Sequence, residues 1–460
     1  MKSPSISNRW PKLVGALILG LAAAMSWFRV GPPPTVSIVP ELPGIGRATP
    51  VTVQVAAGQR GLSTVTAELV QGDRVERLAE RAHVPRPFWA FWGPRVTEDE
   101  LAFEVGSDTV AGLAEGEAAI RITAERASTW LRSPAPVVEQ LMLPVRLEPP
   151  SIQVTSSQTY VAQGGSEAVV YKVGASAVRD GVRVAGHWFP GYPLPGSETG
   201  ERFALFGVPQ DLGDATGIRL VAVDDVGNEA AVRFVDRFIS KPLRTDTINL
   251  SDRFMQRVVP AIFERTSQVE DQGDLLASYL AINRDLRRLN AEALNELASE
   301  SAPEFLWSQP FIQLPNAQSM ASFADRRTYV YKGQEVDQQD HLGFDLASVR
   351  QAPVLSANRG RVVLAEYFGI YGNTVVVDHG YGLMTLYAHL SSIEAEKGQD
   401  VERGESLGRT GETGLAGGDH LHFSILLHGM QVNPLEWWDR RWISHRLGRK
   451  LGPALPMQES

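Results

Sequence analysis

The sequence HLHFSI at residues 420–425 alternates polar side chains with leucine, phenylalanine and isoleucine. Alternation at period two is the pattern of a β-strand with one buried face, because successive side chains point to opposite sides of a strand. Leu421, Phe423 and Ile425 are therefore expected to face a core, and His420 and His422 to share the other face. The stretch predicts a β-sheet that carries two histidines side by side.

The sequence HLGFD at residues 341–345 repeats this alternation. On a strand His341 and Asp345 share one face, and Gly343 between them leaves open space above the sheet. A third pattern, YAHL, places His389 near the end of an apolar strand. Seven of the nine histidines of the chain lie between His341 and His445, a concentration that indicates a functional site.

Two histidines and one carboxylate from separate strands form a catalytic type of zinc site, with water in the fourth position. The chain has no cysteine, which excludes thiolate metal sites and cysteine nucleophiles. The ligand motifs also lack the glutamate that serves as the base in HExxH proteases. Proton transfer would then fall to nearby histidines, which titrate close to neutral pH.

Residues from about 340 to 436 resemble the lysostaphin-like (LytM-type) zinc metallopeptidases, which cut peptide cross-links in bacterial cell walls. The matching stretches are HLGFD (341–345), APVLSANRGRVVLAE (352–366), GNTVVVDHG (372–380), YAHLS (387–391), VERGESLGRTGETG (401–414), GDHLHFSI (418–425) and Asn433-Pro434 before the pair Trp437-Trp438. The resemblance implies an antiparallel β-sheet core with the metal in a groove. It assigns zinc to His341, Asp345 and His422, and catalytic roles to His389 and His420. Which of the last two is the general base stays open.

The remaining histidines of this region, His379, His428 and His445, match no ligand position. We expect them to be structural or surface residues, with His379 the best candidate among them for the groove. The segment Phe323–Tyr329 lies just before the first ligand motif. It is expected either to line or cover the groove or to pack as an ordinary sheet edge.

Upstream of this region the sequence predicts two further β domains. Strand-like stretches such as VTVQVAA (51–57) and STVTAELV (63–70), and later AVVYKV (168–173) and IRLVAVDD (218–225), alternate at period two between Gly, Pro, Asn and Asp residues. This pattern is typical of antiparallel β-sandwiches, and we interpret the two segments as tandem immunoglobulin-like domains.

Between about residues 250 and 297 the periodicity becomes helical. The spacing of three and four residues forms a short a/d seam, made of Tyr279, Ile282, Leu286, Leu289 and Ala293. Two interpretations stay open for the 274–298 helix: the seam docks against the chain's own neighbouring elements, or it mediates self-association.

The amino terminus has the features of an export signal. Lys2, Arg9 and Lys12 precede an uncharged run from residue 13 to 28, and the basic end is expected to stay in the cytoplasm. A helix of that run spans about 24 Å, short of the roughly 30 Å hydrocarbon core. A retained anchor, cleavage near residues 22–24 and a plain buried helix are the alternatives. The first two place the rest of the chain in the cell envelope, either anchored in the inner membrane and facing the periplasm or exported.

The chain of 460 residues carries 44 Lys and Arg against 53 Asp and Glu, a formal charge of −9. This balance argues against nucleic acid as a partner. The sequence predicts a mainly β protein with six regions: a signal or anchor with linker (1–34), two immunoglobulin-like sandwiches (35–147 and 148–240), a helical linker (241–300), a LytM-type peptidase domain (301–440) and a tail (441–460).

The predicted function is zinc-dependent hydrolysis of amide bonds in peptidoglycan cross-links or stem peptides, with the cell membrane as a second partner through the N-terminal segment. The alternative is a non-catalytic LytM-type regulator or wall-binding scaffold that activates another hydrolase. The presence of all five site residues favours the enzyme.

Overall fold

The computed structural model describes residues 10–58, 60–87, 90 and 93–457. Lys2 and Arg9 of the predicted export signal lie outside the described residues. The chain divides into two compact units, one formed by residues 1–150 with 176–178 and 223–229, the other by residues 151–175, 179–222 and 230–460. Strands dominate both units, so the predicted mainly β fold class is confirmed.

The first helix, α1 (Trp10–Phe28), is long and apolar enough to cross a membrane. A helix of this kind near the amino terminus is equally consistent with a signal sequence. None of its residues is buried, which argues against the interpretation as a plain buried helix. The choice between anchor and cleaved signal stays a prediction.

The first unit contains two antiparallel sheets that share one core. Their strands are β1 (Thr35–Pro40), β2 (Thr49–Ala56), β3 (Leu62–Gln71), β4 (Arg74–Ala82), β5 (Glu98–Val105), β6 (Gly116–Arg126) and β7 (Val137–Val145). The strand orders are β1-β2-β5 and β4-β3-β6-β7. Val53, Val65 and Ile120 are fully buried between the sheets, as the period-two alternation requires for a β-sandwich.

A second pair of antiparallel sheets follows, with the orders β13-β14-β10-β8 and β12-β11-β15-β16, while β9 and β17 form a separate parallel pair. The strands are β8 (Ile152–Val154), β9 (Tyr160–Ala162), β10 (Ser166–Val173), β11 (Ala177–Val184), β12 (His187–Pro190), β13 (Tyr192–Pro193), β14 (Arg202–Gly207), β15 (Ile218–Asp224), β16 (Glu229–Val232) and β17 (Arg237–Ile239). This is a second β-sandwich in the region where the sequence predicts one.

The helical segment follows strand β18 (Thr245–Leu250). It comprises α2 (Asp252–Phe263), α3 (Leu275–Ala281), one π-helical turn (Ile282–Leu286) and α4 (Arg287–Ala298). Tyr279, Ile282 and Leu286 are buried in one cluster with residues of the carboxy-terminal sheet, such as Val376 and Leu386. The first part of the predicted seam is therefore occupied within the chain, and self-association through residues 274–298 stays a prediction.

The second part of the seam differs from the predicted pattern. Asn290 and Leu294 are buried, whereas Leu289 and Ala293 are only half-buried. The π-helical turn explains the shift, because its i to i+5 hydrogen bonds insert one extra residue and rotate all later side chains.

The carboxy-terminal region is built on an eight-stranded antiparallel sheet with the order β19-β22-β30-β26-β25-β24-β28, and with β31 paired to β30. The strands of the region are β19 (Gln318–Ala321), β20 (Asp325–Tyr331), β21 (Gln334–His341), β22 (Phe344–Ala347), β23 (Pro353–Leu355), β24 (Gly360–Tyr367), β25 (Asn373–Asp378), β26 (Leu383–Leu390), β27 (Ser392–Ile393), β28 (Asp400–Val401), β29 (Ser406–Arg409), β30 (Leu421–Leu427) and β31 (Met430–Val432). Three short helices follow: α5 (Pro434–Trp438), α6 (Arg440–Trp442) and α7 (Arg449–Leu451).

Two smaller sheets flank this central sheet. Strands β18, β20 and β21 form one of them, and its β18–β20 pair is parallel. The other has the order β23-β29-β27. The small β18-β20-β21 sheet positions one of the predicted ligands, because β21 ends at His341.

The second sandwich and the carboxy-terminal sheet share one hydrophobic core. The ring of Phe203 lies 4.9 Å from that of Tyr381 and 5.7 Å from that of Phe305. Trp437 is fully buried, and its Nε1 donates a hydrogen bond of 3.0 Å to Ser166 Oγ. The sandwich therefore contributes to the support of the carboxy-terminal sheet, while the domain boundaries taken from the sequence stay predictions.

Candidate metal centre

Three strands bring the predicted metal ligands together. His341 ends β21, Asp345 lies on β22 and His422 on β30, where Asp345 and His422 are directly opposite each other in the antiparallel pair. His341 Nε2 lies 2.9 Å from Asp345 Oδ1 and 3.0 Å from His422 Nδ1, and the last two atoms are 3.0 Å apart. The structure thus groups the three predicted ligands as a set able to hold a metal ion.

The hydrogen bonds on the far side of each ring determine which nitrogen faces the centre. His341 Nδ1 donates to the carbonyl of Ser322 at 3.0 Å, so its Nε2 is free of a proton in the neutral ring. The Ser424 hydroxyl donates to the carbonyl of Leu342 at 2.8 Å, so its oxygen accepts from His422 Nε2 at 3.0 Å. His422 therefore presents Nδ1. Two imidazole nitrogens and one carboxylate oxygen are a donor set that fits Zn²⁺.

The carboxylate of Asp345 is kept ionised in this buried place. Burial alone would raise its pKa, but when the neighbouring rings are protonated, the positive charge of His341 and hydrogen bonds from His341, His420 and His422 hold the pKa well below its usual range. Its second oxygen, Oδ2, accepts a hydrogen bond of 2.7 Å from Arg327 Nη2. Arg327 thus orients the carboxylate and leaves Oδ1 directed at the two histidines.

The two predicted catalytic histidines lie next to the ligand set. His389 is near the end of β26, and its ring lies 4.9 Å from that of His420 and 5.8 Å from that of His422. His420 Nε2 is 3.5 Å from Asp345 Oδ1. His389 Nδ1 donates to the carbonyl of Thr413 and His420 Nδ1 to that of Gly418, both at 2.8 Å. In their neutral forms both rings therefore carry an unprotonated Nε2.

His389 has a backbone φ of +62°, in the left-handed region that residues other than glycine rarely adopt. Such backbone conformations are strained and persist only where the surrounding structure holds them, and they cluster at functional sites.

The pKa values of the two predicted catalytic histidines, His389 and His420, move in opposite directions. Burial, and then the charges of His420 and His422, lower that of His389 well below its usual value. For His420 burial would lower the pKa, but the hydrogen bond to Asp345 and the charge of that residue raise it.

These five residues line a cavity of about 410 Å³. Its other walls come from strands β18 and β20, the helical segment and nearby loops: Ile248, Asn249, Leu250, Phe254, Tyr279, Arg287, Arg327, Tyr329, Ile370, Tyr371, Leu415 and Gly417. Arg327 and Tyr329 show that part of the predicted 323–329 segment lines the groove. The sequence does not indicate the helical and β18 residues, which lie far upstream and carry no local motif.

The remaining histidines of the region are structural or surface residues, as predicted, and His379 is not in the groove. Its ring is fully buried, and it contacts the carbonyl of Arg359 and the hydroxyl of Thr385, both at 2.8 Å. Burial lowers the pKa values of His379 and His428 to about 4. His445 is exposed, and like the other two it is absent from the cavity wall.

Comparison with known proteins identifies the region that holds the centre. Residues 339–434 match the model of peptidase family M23. Over 96 residues the chain is 41% identical to the peptidoglycan DD-endopeptidase ShyA of Vibrio cholerae. The aligned stretch covers 21% of this chain and 22% of that protein. The chain is 39% identical over 95 residues to the DD-carboxypeptidase/endopeptidase Mpg of Neisseria meningitidis, an alignment that covers 21% of this chain and 22% of that protein.

The match thus spans about a fifth of the length of these curated relatives. Among solved structures, the catalytic domain of lysostaphin from Staphylococcus simulans aligns with a TM-score of 0.24 and 23% identity, covering 27% of this chain and 94% of that domain. The predicted resemblance is confirmed: residues 339–434 form an M23 (LytM-type) domain.

Proposed function

We propose that the M23 domain at residues 339–434 makes this chain a zinc-dependent endopeptidase, which hydrolyses amide bonds in peptidoglycan stem peptides or cross-links. The observation that carries the proposal is the convergence of His341 Nε2, Asp345 Oδ1 and His422 Nδ1 within 3.0 Å of one another. The similar Vibrio cholerae protein is named a peptidoglycan DD-endopeptidase, which supports the same substrate class.

When held by these three atoms, zinc supplies a Lewis acid that polarises the substrate carbonyl and lowers the pKa of water. The other steps fall to residues of the chain. His389 and His420 hold their Nδ1 protons on backbone carbonyls, so each Nε2 can accept a proton from the attacking water and deliver it to the leaving amine. A protonated histidine also stabilises negative charge that develops on the carbonyl oxygen.

The direct test is hydrolysis of isolated peptidoglycan by the purified full chain. We expect new free amino groups to appear as amide bonds are cut, and mass spectrometry of the released fragments to identify the bond. Removal of the metal with a chelator should lower the rate to background, and added zinc should restore it. The regulator interpretation makes the opposite prediction: the purified chain releases no amines, and only hydrolysis by a second, added enzyme becomes faster.

We further propose that α1 places the body of the chain outside the cytoplasm, as a substrate in the cell wall requires. The intact chain should fractionate with membranes if α1 is retained as an anchor, and it should begin after residues 22–24 if the signal is cleaved. Protease added to spheroplasts should degrade the M23 domain in both cases. Protection equal to that of a cytoplasmic marker would contradict this topology.

A further inference from the structure

One basic side chain of the helical segment lines the groove beside the metal centre. Arg287, the first residue of α4, is half-buried and lines the same cavity as the ligands. Its Nε donates to the carbonyl of Asn283 at 3.0 Å and its Nη2 to Asn283 Oδ1 at 2.7 Å. Asn283 is fully buried and donates in turn to Asp337 Oδ2 at 2.8 Å. The guanidinium is thus held in one orientation by a residue without charge.

Arg287 also differs from the two neighbouring arginines of the helical segment in its ion pairing. Arg284 pairs with Asp337 at 2.8 Å, and Arg288 pairs with Glu292 at 2.7 Å. Within residues 10–457, as far as the structure describes them, no carboxylate forms an ion pair with Arg287. A half-buried guanidinium without a counter-charge is suited to bind an anionic group of a ligand.

The helix that carries Arg287 is fixed to the M23 domain. Asn290, one turn later on the same face, is fully buried and accepts a hydrogen bond of 3.0 Å from the backbone N–H of Ile370. The next residue, Tyr371, has its ring 5.7 Å from that of His422. Arg287 and Tyr371 line the same cavity as the five site residues, so the helical segment holds Arg287 in the groove beside the metal centre.

The groove as a whole is positively charged. Asp345 is the only acidic residue among those that line the cavity, against two arginines. Arg327 is committed to Asp345 through the 2.7 Å hydrogen bond, which leaves Arg287 as the cation available to a ligand. A divalent metal ion would add two further positive charges. In a chain with a formal charge of −9, such a groove selects anionic ligands by its local field.

We propose that Arg287 is a specificity-determining residue that binds a carboxylate of the substrate peptide, on a residue flanking the amide bond that is cut. This inference rests on the proposed function, because it names the kind of peptide that the same groove takes. The enzyme then prefers a peptide with a free carboxylate at that position over the same peptide with a carboxamide.

The test compares two synthetic peptides that contain the amide bond cut in peptidoglycan and differ only in that carboxylate or carboxamide. We expect the wild-type chain to prefer the carboxylate by roughly 10- to 100-fold in kcat/KM, the usual worth of a hydrogen bond to a charged group. Arg287→Gln should hydrolyse the two peptides at similar rates, and the loss on the carboxylate peptide should appear mainly in KM. Arg287→Lys, which keeps the charge, should retain part of the preference.

Arg288→Gln is the matched control, because it removes the same charge from the next, exposed position of the helix. It should keep the full preference. Zinc content and melting temperature of every variant are measured to detect damage to the fold. An undiminished preference in Arg287→Gln overturns the inference and leaves the hydrolase proposal intact.

A binding measurement tests the role of Arg287 separately from the proposed hydrolase function. If the wild-type chain hydrolyses neither these peptides nor peptidoglycan, the proposed function fails. Calorimetry of the same two peptides with the zinc-loaded chain then still tests Arg287. Tighter binding of the carboxylate peptide by wild type than by Arg287→Gln supports the inference, and equal binding by the two proteins overturns it.

Discussion

His422→Ala is expected to lose most of the bound zinc and to reduce peptidoglycan hydrolysis to background. His422 Nδ1 lies 3.0 Å from both His341 Nε2 and Asp345 Oδ1, so its removal leaves two of three protein ligands. Structural zinc sites with four ligands are worth about 10–16 kcal/mol in binding free energy, or about 2.5–4 kcal/mol per ligand. The variant should therefore bind zinc roughly 10²- to 10³-fold more weakly.

The measurement is elemental analysis of the dialysed full chain, together with release of amino groups from peptidoglycan. His445→Ala is the control, because it makes the same substitution at an exposed histidine outside the cavity. It should keep stoichiometric zinc and the wild-type rate. If His422→Ala kept both as well, the ligand set would be wrong.

The ligand set is the part of the site that the sequence predicts best. Alternation at period two assigns His422 and Asp345 to the strand faces opposite the apolar side chains without any knowledge of the tertiary structure. Strand pairing then places the two residues opposite each other. The local pattern and the strand pairing agree on where the candidate centre lies, whereas the choice of His422 over His420 as a ligand comes from the family resemblance.

Apart from the 323–329 segment, the walls of the groove are not predictable in the same way. Arg287 and Tyr279 belong to the helical segment, more than fifty residues before the first ligand, and only tertiary packing brings them to the cavity. The helical pattern itself is misleading beyond Leu286, where the π-helical turn shifts burial from Leu289 to Asn290. No propensity or period in the sequence indicates such a turn. The consequence is structural: the buried Asn290 fixes α4 to the loop before Tyr371, beside the candidate site.

Substitution of His389 or His420 should separate chemistry from metal binding. Neither residue belongs to the three-ligand set, so each alanine variant should keep zinc near the wild-type level. Hydrolysis of peptidoglycan should fall by roughly 10² to 10⁴, the usual contribution of a positioned proton-transfer group. The activation free energy should rise less in the double variant than the sum of the rises in the two single variants, because both rings act on one transition state.

His389 needs a second variant, since its φ of +62° makes alanine a strained replacement. Asparagine tolerates the left-handed conformation and carries no group that transfers a proton near neutral pH. His389→Asn should therefore keep the melting temperature of the wild type and lose as much activity as His389→Ala. Zinc lost from His420→Ala but kept in His422→Ala would instead mean that the ligand and catalytic roles of this pair are exchanged. Wild-type rates in His389→Asn and His420→Ala would exclude both rings from the reaction, even with the metal in place.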